Sequence, residues 1–136
     1  IININREMKK TLLFIVLALG ISYAYAQSGP EIKFETTTHD FGTFSENDPV
    51  VSYEFVFTNT GDAPLVIHQA IASCGCTVPD YTKEPILPGK KGSIKVTYNG
   101  AGRYPGRFKK SITLRTNAKT EMMRLYIEGE MTAKNN

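Results

Sequence analysis

Apolar and polar residues alternate along most of the chain after residue 26, and this alternation predicts β-strands. In the clearest case, Val51, Tyr53, Phe55 and Phe57 are separated by mostly polar positions. Such a period of two places one set of side chains in a core and the other in water, as in antiparallel sheets. The pattern recurs at residues 32–34, 65–72, 94–98, 108–114 and 125–131, and no helical periodicity interrupts it.

Glycine- and proline-rich stretches separate these segments, at residues 59–64, 88–92, 99–106 and 116–120, and the glycine-rich 99–106 stretch is expected to form a hairpin loop. Six or seven short strands in one domain predict an all-β fold, a single immunoglobulin-like antiparallel β-sandwich of about seven strands. The chain has no Trp, and its two Cys are one residue apart. We therefore expect a core of Phe, Tyr, Ile, Val and Leu without the Cys-Trp-Cys arrangement of antibody domains.

The N-terminal segment has the three parts of a secretory signal peptide. Lys9 and Lys10 form a positive head, residues 11–21 form an apolar middle, and Ala24 with Ala26 gives a small-residue cleavage site. The apolar run is well short of the ~20 residues that a membrane-spanning helix needs. This pattern predicts export with cleavage after Ala26.

We expect translation to start at Met8, residues 1–26 to be the signal segment, and residues 27–136 to form the mature domain, which does not span a membrane. The signal segment contains three of the 16 basic residues and one of the 13 acidic residues, so its removal lowers the formal net charge from +3 to +1. A nearly neutral domain has little electrostatic attraction for nucleic acid, which we exclude as a partner.

Several sequence blocks occur in a fixed order along the mature chain. They are Asp40-Phe41-Gly42-Thr43-Phe44, Tyr53-Glu54-Phe55-Val56-Phe57-Thr58-Asn59-Thr60-Gly61, Pro64-Leu65-Val66-Ile67, Ser73-Cys74-Gly75-Cys76-Thr77-Val78-Pro79, Glu84-Pro85-Ile86-Leu87-Pro88-Gly89, Gly92-Ser93-Ile94-Lys95-Val96-Thr97-Tyr98, Gly106-Arg107-Phe108-Lys109-Lys110-Ser111-Ile112 and Thr116-Asn117. This set resembles an exported bacterial family of unknown function, whose hallmarks are the N-T-G turn and the S-C-G-C-T core. The resemblance implies an immunoglobulin-like fold related to modules of cilia, centrosome and sperm proteins, and a location in the periplasm or at the cell surface of a bacterium. It implies no established activity.

The two cysteines, Cys74 and Cys76, are the residues with the clearest chemical potential. Residues two apart in an extended segment project to the same side, so both sulfur atoms can face together across Gly75. Four states stay open: a strained, easily reduced local disulfide, a redox-active pair, a clamp for Cu(I) or Zn(II), or free or intermolecularly crosslinked thiols.

A metal site needs further ligands, and the chain has two histidines. His68 lies on the predicted strand that leads to Cys74, where a solvent-facing strand histidine is the commoner role. His39 lies in a predicted turn between two early strands. We therefore assign no cofactor, with a Cu or Zn site at Cys74, Cys76 and His68 as the alternative.

No Ser-His-Asp arrangement or pair of carboxylates occurs in a recognisable catalytic context, so we assign no enzymatic activity. Basic and aromatic residues cluster around the loops instead, and Tyr with Arg is a common pairing at contact surfaces. If these loops meet at one end of the sandwich, they form an interaction surface. Its residues are Tyr81, Lys90, Lys91, Arg103, Tyr104 and Arg107.

Two functions follow from these features. The favoured one is a non-enzymatic binding or scaffold module of the cell envelope, with an envelope protein or a glycan as its partner. The alternative is a thiol redox or soft-metal-binding protein that acts through Cys74 and Cys76. The residues between Thr77 and Pro88, with little regular patterning, are expected to form a long loop beside the cysteine pair.

Overall fold

A computed structural model describes residues 5–24 and 29–135 of the chain. The helix α1 (Arg6–Ala24) precedes eight strands: β1 (Ile32–Phe34), β2 (Thr38–Ser45), β3 (Val50–Asn59), β4 (Ile67–Ala72), β5 (Thr77–Tyr81), β6 (Lys91–Asn99), β7 (Gly106–Thr116) and β8 (Met122–Thr132). The predicted cleavage point after Ala26 lies outside the described residues.

The first half of α1 exposes its apolar side chains to solvent. Leu12, Leu13 and Phe14 are 61%, 73% and 72% exposed. No helix within residues 5–24 and 29–135 has the length and hydropathy needed to cross a membrane. The signal-peptide assignment stays a prediction.

The strands form two four-stranded sheets, in the orders β1-β3-β6-β5 and β2-β8-β7-β4. This β-sandwich confirms the predicted immunoglobulin-like fold, with eight strands where about seven were expected. Neighbouring strands run antiparallel except β2 and β8, which run parallel. The chain changes sheet at every connection except the two hairpins β5–β6 and β7–β8.

The core consists of the residues whose alternation predicted the strands. Phe55 and Phe57 of β3 are fully buried, as are Ile94 and Val96 of the neighbouring β6. Strands β7 and β8 of the opposite sheet contribute further buried side chains: Ile112, Leu114, Leu125, Ile127 and Met131. Period-two alternation therefore identified the inner faces of both sheets.

Three local predictions were wrong. The residues around His39 form strand β2 where a turn was expected, because they pair in parallel with β8. The expected long loop after Thr77 begins with strand β5, although Pro79 lies in its middle. Proline is tolerated there because β5 is an edge strand with one side unpaired. The 99–106 loop was expected to form a hairpin, but it connects strands of different sheets, β6 and β7.

The connections lie at two ends of the sandwich. Residues 46–49, 73–76 and 100–105 lie at one end, which we call the cysteine end: Gly100 N donates to Pro49 O (2.9 Å) and Asn99 N donates to Cys76 O (2.8 Å). Residues 60–66, 82–90 and 117–121 lie at the other end, which we call the turn end. The nine-residue strand β6 runs from the turn end to the cysteine end.

Candidate functional site

The cysteine segment forms the crossing from one sheet to the other. Before it, Ser73 N donates to Ser111 O of β7 (2.9 Å), and Ser111 N donates to Ser73 Oγ (3.1 Å). After it, Cys76 O accepts from Asn99 at the end of β6. The segment is therefore anchored to both sheets, which fixes the two cysteines at the edge of the sandwich.

The backbone between the cysteines turns, whereas an extended segment was expected. The Cα atoms of Cys74 and Cys76 are 5.3 Å apart, and the two sulfur atoms lie within bonding distance, as in a disulfide. Thr77 N donates to Cys74 O (3.2 Å), which closes the turn. The two sulfurs therefore meet because the backbone turns between them. In the extended segment that was expected, the pleat would have placed them on the same side.

The two sulfur atoms have different surroundings. Cys76 is 4% exposed and belongs to the core, whereas Cys74 is half-buried at its margin. Cys76 N donates to Cys74 Sγ (3.2 Å), and the Thr77 hydroxyl contacts both sulfurs, at 3.9 and 3.7 Å. An attacking thiolate would therefore reach Cys74 before Cys76.

We predict that the purified protein has a closed Cys74–Cys76 bond, because the folded chain holds both sulfurs together. Intact mass with thiol alkylation checks this. The native protein should be lighter than the fully reduced chain by two hydrogen atoms and should take no alkyl label. After reduction in denaturant it should take a label on each cysteine. A Cys74→Ser variant is the control and should take one. Alkylation of the unreduced protein in denaturant would contradict the prediction.

His68 lies apart from the cysteines. It is exposed near the start of β4, and Cys74 follows the end of that strand. Six residues of extended chain span roughly 20 Å. His68 lines a cavity of about 570 Å³ whose other lining residues are Arg115, Thr116, Asn117, Glu121 and Met122.

Within residues 5–24 and 29–135, no three His, Cys, Asp or Glu side chains come together as a metal site would require. The metal site at Cys74, Cys76 and His68 therefore stays a prediction, without support from the geometry.

The predicted interaction residues are divided between the two ends of the sandwich. Lys90 and Lys91 lie where β6 begins at the turn end, whereas Arg103, Tyr104 and Arg107 follow its end. Nine residues of strand separate the two groups by roughly 30 Å. The six residues therefore do not form one patch. Tyr81 lies nearer the turn end, because it ends β5 just before residues 82–90 and pairs with Ile94 of β6. Its hydroxyl donates to His68 O (3.3 Å).

The loop between β6 and β7 projects Tyr104 into solvent. This side chain is 98% exposed, the largest exposure among the large apolar and aromatic residues described. Gly102 and Gly106 flank it with φ of 72° and 139°, a conformation that residues with a Cβ rarely adopt. Arg103 and Arg107 are exposed and lie within three residues of Tyr104 in sequence, so this segment at the cysteine end presents an aromatic ring and two basic side chains to solvent.

A second cluster, which the sequence did not predict, is centred on the buried Asn59. Its Nδ2 donates to Ala63 O (2.8 Å) and Ile86 O (2.9 Å), and its Oδ1 accepts from Gly61 N (3.0 Å) and Glu31 N (3.4 Å). The side chain is 0% exposed and all its hydrogen-bonding capacity is used. The sequence feature that could have indicated this cluster is the N-T-G turn, because its asparagine binds three segments together at the turn end.

Gly61 of the same turn allows the segment before β1 to pack closely. A Cβ at this position would overlap the backbone of residues 29–31. That segment is held by Gly29 N donating to Asp62 Oδ1 (2.6 Å), by Thr60 N donating to Glu31 O (3.0 Å), and by a 2.9 Å ion pair between Glu31 and Lys119. The N-T-G turn therefore holds residues 29–31, which lead into β1, against the sandwich.

His39 belongs to an aromatic cluster between the sheets. Its ring stacks on Tyr53, with centroids 3.6 Å apart and planes 7° apart, and Phe41 packs edge-on at 4.8 Å. Burial lowers the pKa of His39 below 6.5, and the neighbouring Asp40 carboxylate opposes this effect without reversing it.

We predict that His39 makes the fold less stable as the pH falls below about 6.5, because the unfolded chain binds the proton more readily than the folded one. The contribution is fully present above the unfolded pKa and is lost as the pH falls through the lower folded pKa. Urea unfolding at a series of pH values from neutral to mildly acidic checks this. A His39→Phe variant should lose this part of the pH dependence, and an unchanged profile would contradict the assignment.

Known structures share the sandwich. The chain is similar to a protein of unknown function from Porphyromonas gingivalis W83, with 15% identity, a TM-score of 0.66, and coverage of 77% of this chain and 48% of that one. This chain thus spans about half the length of that protein. It is also similar to the PapD-like domain 7 of human CEP192 (10% identity, TM-score 0.60, coverage 76% and 87%) and to the periplasmic chaperone SfaE (11%, 0.52, 77% and 59%).

At these identities the likeness shows the fold alone, and the CEP192 domain confirms the expected relation to immunoglobulin-like modules. No curated protein matches the chain. The family model DUF1573, described as a protein of unknown function, matches residues 32–131, which is the sandwich from β1 to near the end of β8. The chain therefore belongs to the DUF1573 family of proteins of unknown function.

Proposed function

We propose that this protein is an exported, non-enzymatic binding module of the cell envelope, and that its cysteine end contacts a protein or glycan partner. The observation that carries the proposal is Tyr104, an almost fully exposed aromatic ring on a loop shaped by two positive-φ glycines. Tyr and Arg are among the residue types enriched at the centres of interfaces, and the exposed Arg103 and Arg107 are close to Tyr104 in sequence.

The fold is compatible with this role. The solved structures that share it include proteins named as chaperones, among them the periplasmic chaperone SfaE and the YadV chaperone. Export itself is supported by the sequence pattern of residues 9–26 and by the exposed apolar side chains of residues 12–16 in α1. The Tyr104 loop is anchored where it begins, because Asn99 N donates to Cys76 O in the crossing between the sheets.

Photocrosslinking tests the proposal. A benzophenone amino acid at position 104 should give a discrete adduct in the exporting cell. The same amino acid at Leu87, which is 55% exposed at the turn end, is the matched control and should give none. Peptides of a second protein in a tryptic digest of the purified adduct identify a protein partner, and a loss of adduct mass on glycosidase treatment identifies a glycan. No adduct at position 104, or equal adducts at both positions, would contradict the proposal.

We predict that Tyr104→Ala lowers the yield of partner complex at least tenfold and leaves the midpoint of thermal unfolding unchanged. A central interface aromatic typically contributes 2 kcal/mol or more to binding, roughly a thirtyfold change in affinity. A fully exposed side chain has no native packing to lose. Crosslinking with an amine-reactive reagent, alongside a thermal melt, separates the two effects. A shifted melt with unchanged crosslinking would contradict the prediction.

A second candidate is thiol exchange at the cysteine pair. One observation favours it: Cys74 is half-buried while Cys76 is buried, so a single sulfur of the pair faces solvent. An exposed sulfur is the one that an external thiolate attacks, with the buried one leaving as thiolate. Measured exchange with reduced glutathione, compared between the native protein and a Cys74→Ser/Cys76→Ser variant, tests it. Equal signals from both would remove this candidate.

A further inference from the structure

The sandwich has exposed edge strands, and most of them carry features that prevent another strand from pairing. Strand β5 pairs with β6 on one side only. The register of this pair and the bond from Asn99 N to Cys76 O show that the backbone groups of Thr77, Pro79 and Tyr81 point away from β6, toward the open edge. Pro79 has no N–H group, Tyr81 N donates to the Asp80 side chain (3.0 Å), and Thr77 N is used in the cysteine turn. This edge therefore offers no free backbone donor.

The edges on the opposite side of the sandwich are protected in other ways. Strand β1 has three residues, and the part of β3 that extends beyond it carries the exposed charge of Glu54. Strand β2 has an irregular register between Asp40 and Thr43. Short strands, charges and bulges all discourage edge pairing.

Strand β4 lacks these features in its second half. Ser73 N donates to Ser111 O of β7, so the backbone groups of the alternate residues Ile71 and Gln69 also point toward β7. The backbone groups of Ala70 and Ala72 therefore point away from β7, toward the open edge. Within the described part of the chain, no backbone partner exists for the N–H and C=O groups of these two alanines. The stretch has no charge and no proline, and Ile71 is 47% exposed.

The open stretch of β4 has defined limits. At its start His68 O already accepts a hydrogen bond from the Tyr81 hydroxyl (3.3 Å). Beyond its end the chain leaves the sheet at Ser73 and crosses to the other sheet. The side chains of Ala70 and Ala72 have the parity of the inner face, and Ala70 packs against the core. Their small size leaves room at this edge for larger apolar side chains from a strand placed beside β4.

The outer face of the sheet next to β4 is positive. Arg115 pairs with Gln69, and Arg124 lies one strand further on, opposite Thr113. In the described structure no carboxylate is within ion-pairing distance of either arginine, although Glu121 lines the same cavity as Arg115. Nearer the cysteine end, by contrast, Lys109 pairs with Glu128 on this face. A neighbouring strand with an outward carboxylate would complement the arginines.

We propose that β4 binds an extended segment of another protein by strand addition, through the backbone groups of Ala70 and Ala72. The segment has apolar side chains facing the sandwich and, on the outer face, a carboxylate that reaches toward Arg115 across Gln69 of β4. Backbone hydrogen bonds provide the affinity, and the alternating side chains provide the selectivity. This surface shares no residue with the Tyr104 loop, so a Tyr104→Ala variant should bind such a segment unchanged.

NMR titration with synthetic peptides tests the proposal. The probe is acetyl-Thr-Val-Glu-Val-Thr-amide, and its matched control carries Lys in place of Glu. At millimolar peptide the backbone amides of Ala70 and Ala72 should shift saturably, and the glutamate peptide should bind about threefold more tightly, as expected for an exposed ion pair. No shift with either peptide, or shifts confined to another edge, would overturn the proposal. Shifts that grow with protein concentration alone would assign the edge to a second copy of this chain.

Two variants give the test its specificity. Ala72→Pro removes an outward N–H and leaves the ladder to β7 intact, so it should abolish binding of the glutamate peptide. Ala72→Ser keeps the N–H and should preserve binding. Arg115→Glu provides a second test should the proline variant fail to fold, because it should reverse the preference in favour of the lysine peptide. An unchanged preference in Arg115→Glu, or full binding by a folded Ala72→Pro, would refute the assignment.

Discussion

Replacing Asn59 with alanine is expected to reduce the free energy of unfolding by about 4 kcal/mol. The change removes four hydrogen bonds and leaves Ala63 O and the N–H groups of Gly61 and Glu31 without their partner, whereas Ile86 O keeps its bond from Leu65 N (2.8 Å). Each buried polar group left unsatisfied costs ~1–3 kcal/mol, and groups near the surface recover part of this from water. Since domains of this size are stable by ~5–15 kcal/mol, the variant should be close to unfolding.

Asn117→Ala is the matched control for this prediction. Asn117 also bridges two backbone groups, since its Oδ1 accepts from Val66 N (2.8 Å) and its Nδ2 donates to Pro64 O (3.1 Å). It is exposed, so water replaces the lost bonds and the expected loss is about 1 kcal/mol. Urea unfolding of both variants gives the comparison. Equal losses would show that burial of Asn59 does not determine its effect.

The inner faces of the long strands could be predicted because alternation alone determines them. Phe55, Phe57, Ile94 and Leu114 are buried as their parity requires. The short edge strands could not be predicted this way. Strand β2 is defined by its parallel pairing with β8, which no local pattern shows, and β5 contains a proline that its edge position tolerates.

The candidate site was predictable only in part, because its arrangement depends on the connections between sheets. The sequence identified Cys74 and Cys76 as neighbours, but the turn that joins them exists because the chain changes sheet there. The proximity of Lys91 and Arg103 could not be judged without knowing that β6 lies between them. Burial of Asn59 likewise follows from three segments that are distant in sequence.

The second large effect is expected for Gly61→Ala, which should lower the free energy of unfolding by about 3 kcal/mol. The added methyl group would occupy the position of the backbone at residues 29–31, and backbone moves less readily than a flexible side chain. Overpacking of this kind costs ~1–3 kcal/mol, and displacement of the segment also breaks its bonds to Asp62 and Thr60. Urea unfolding measures the loss, and faster proteolysis near residue 29 should accompany it.

Gly75→Ala separates this mechanism from a general intolerance of substitutions at glycines in turns. Gly75 lies between the cysteines, yet a Cβ there would meet no atom within 4 Å, and its backbone lies outside the positive-φ region. The expected change in stability is therefore within about 0.5 kcal/mol, as for ordinary surface positions. If Gly75→Ala destabilised the domain as much as Gly61→Ala, the close approach of the N-terminal segment would not explain the Gly61 effect. A tolerant Gly75 beside an intolerant Gly61 would show that the N-T-G turn, more than the glycine between the cysteines, stabilises this sandwich.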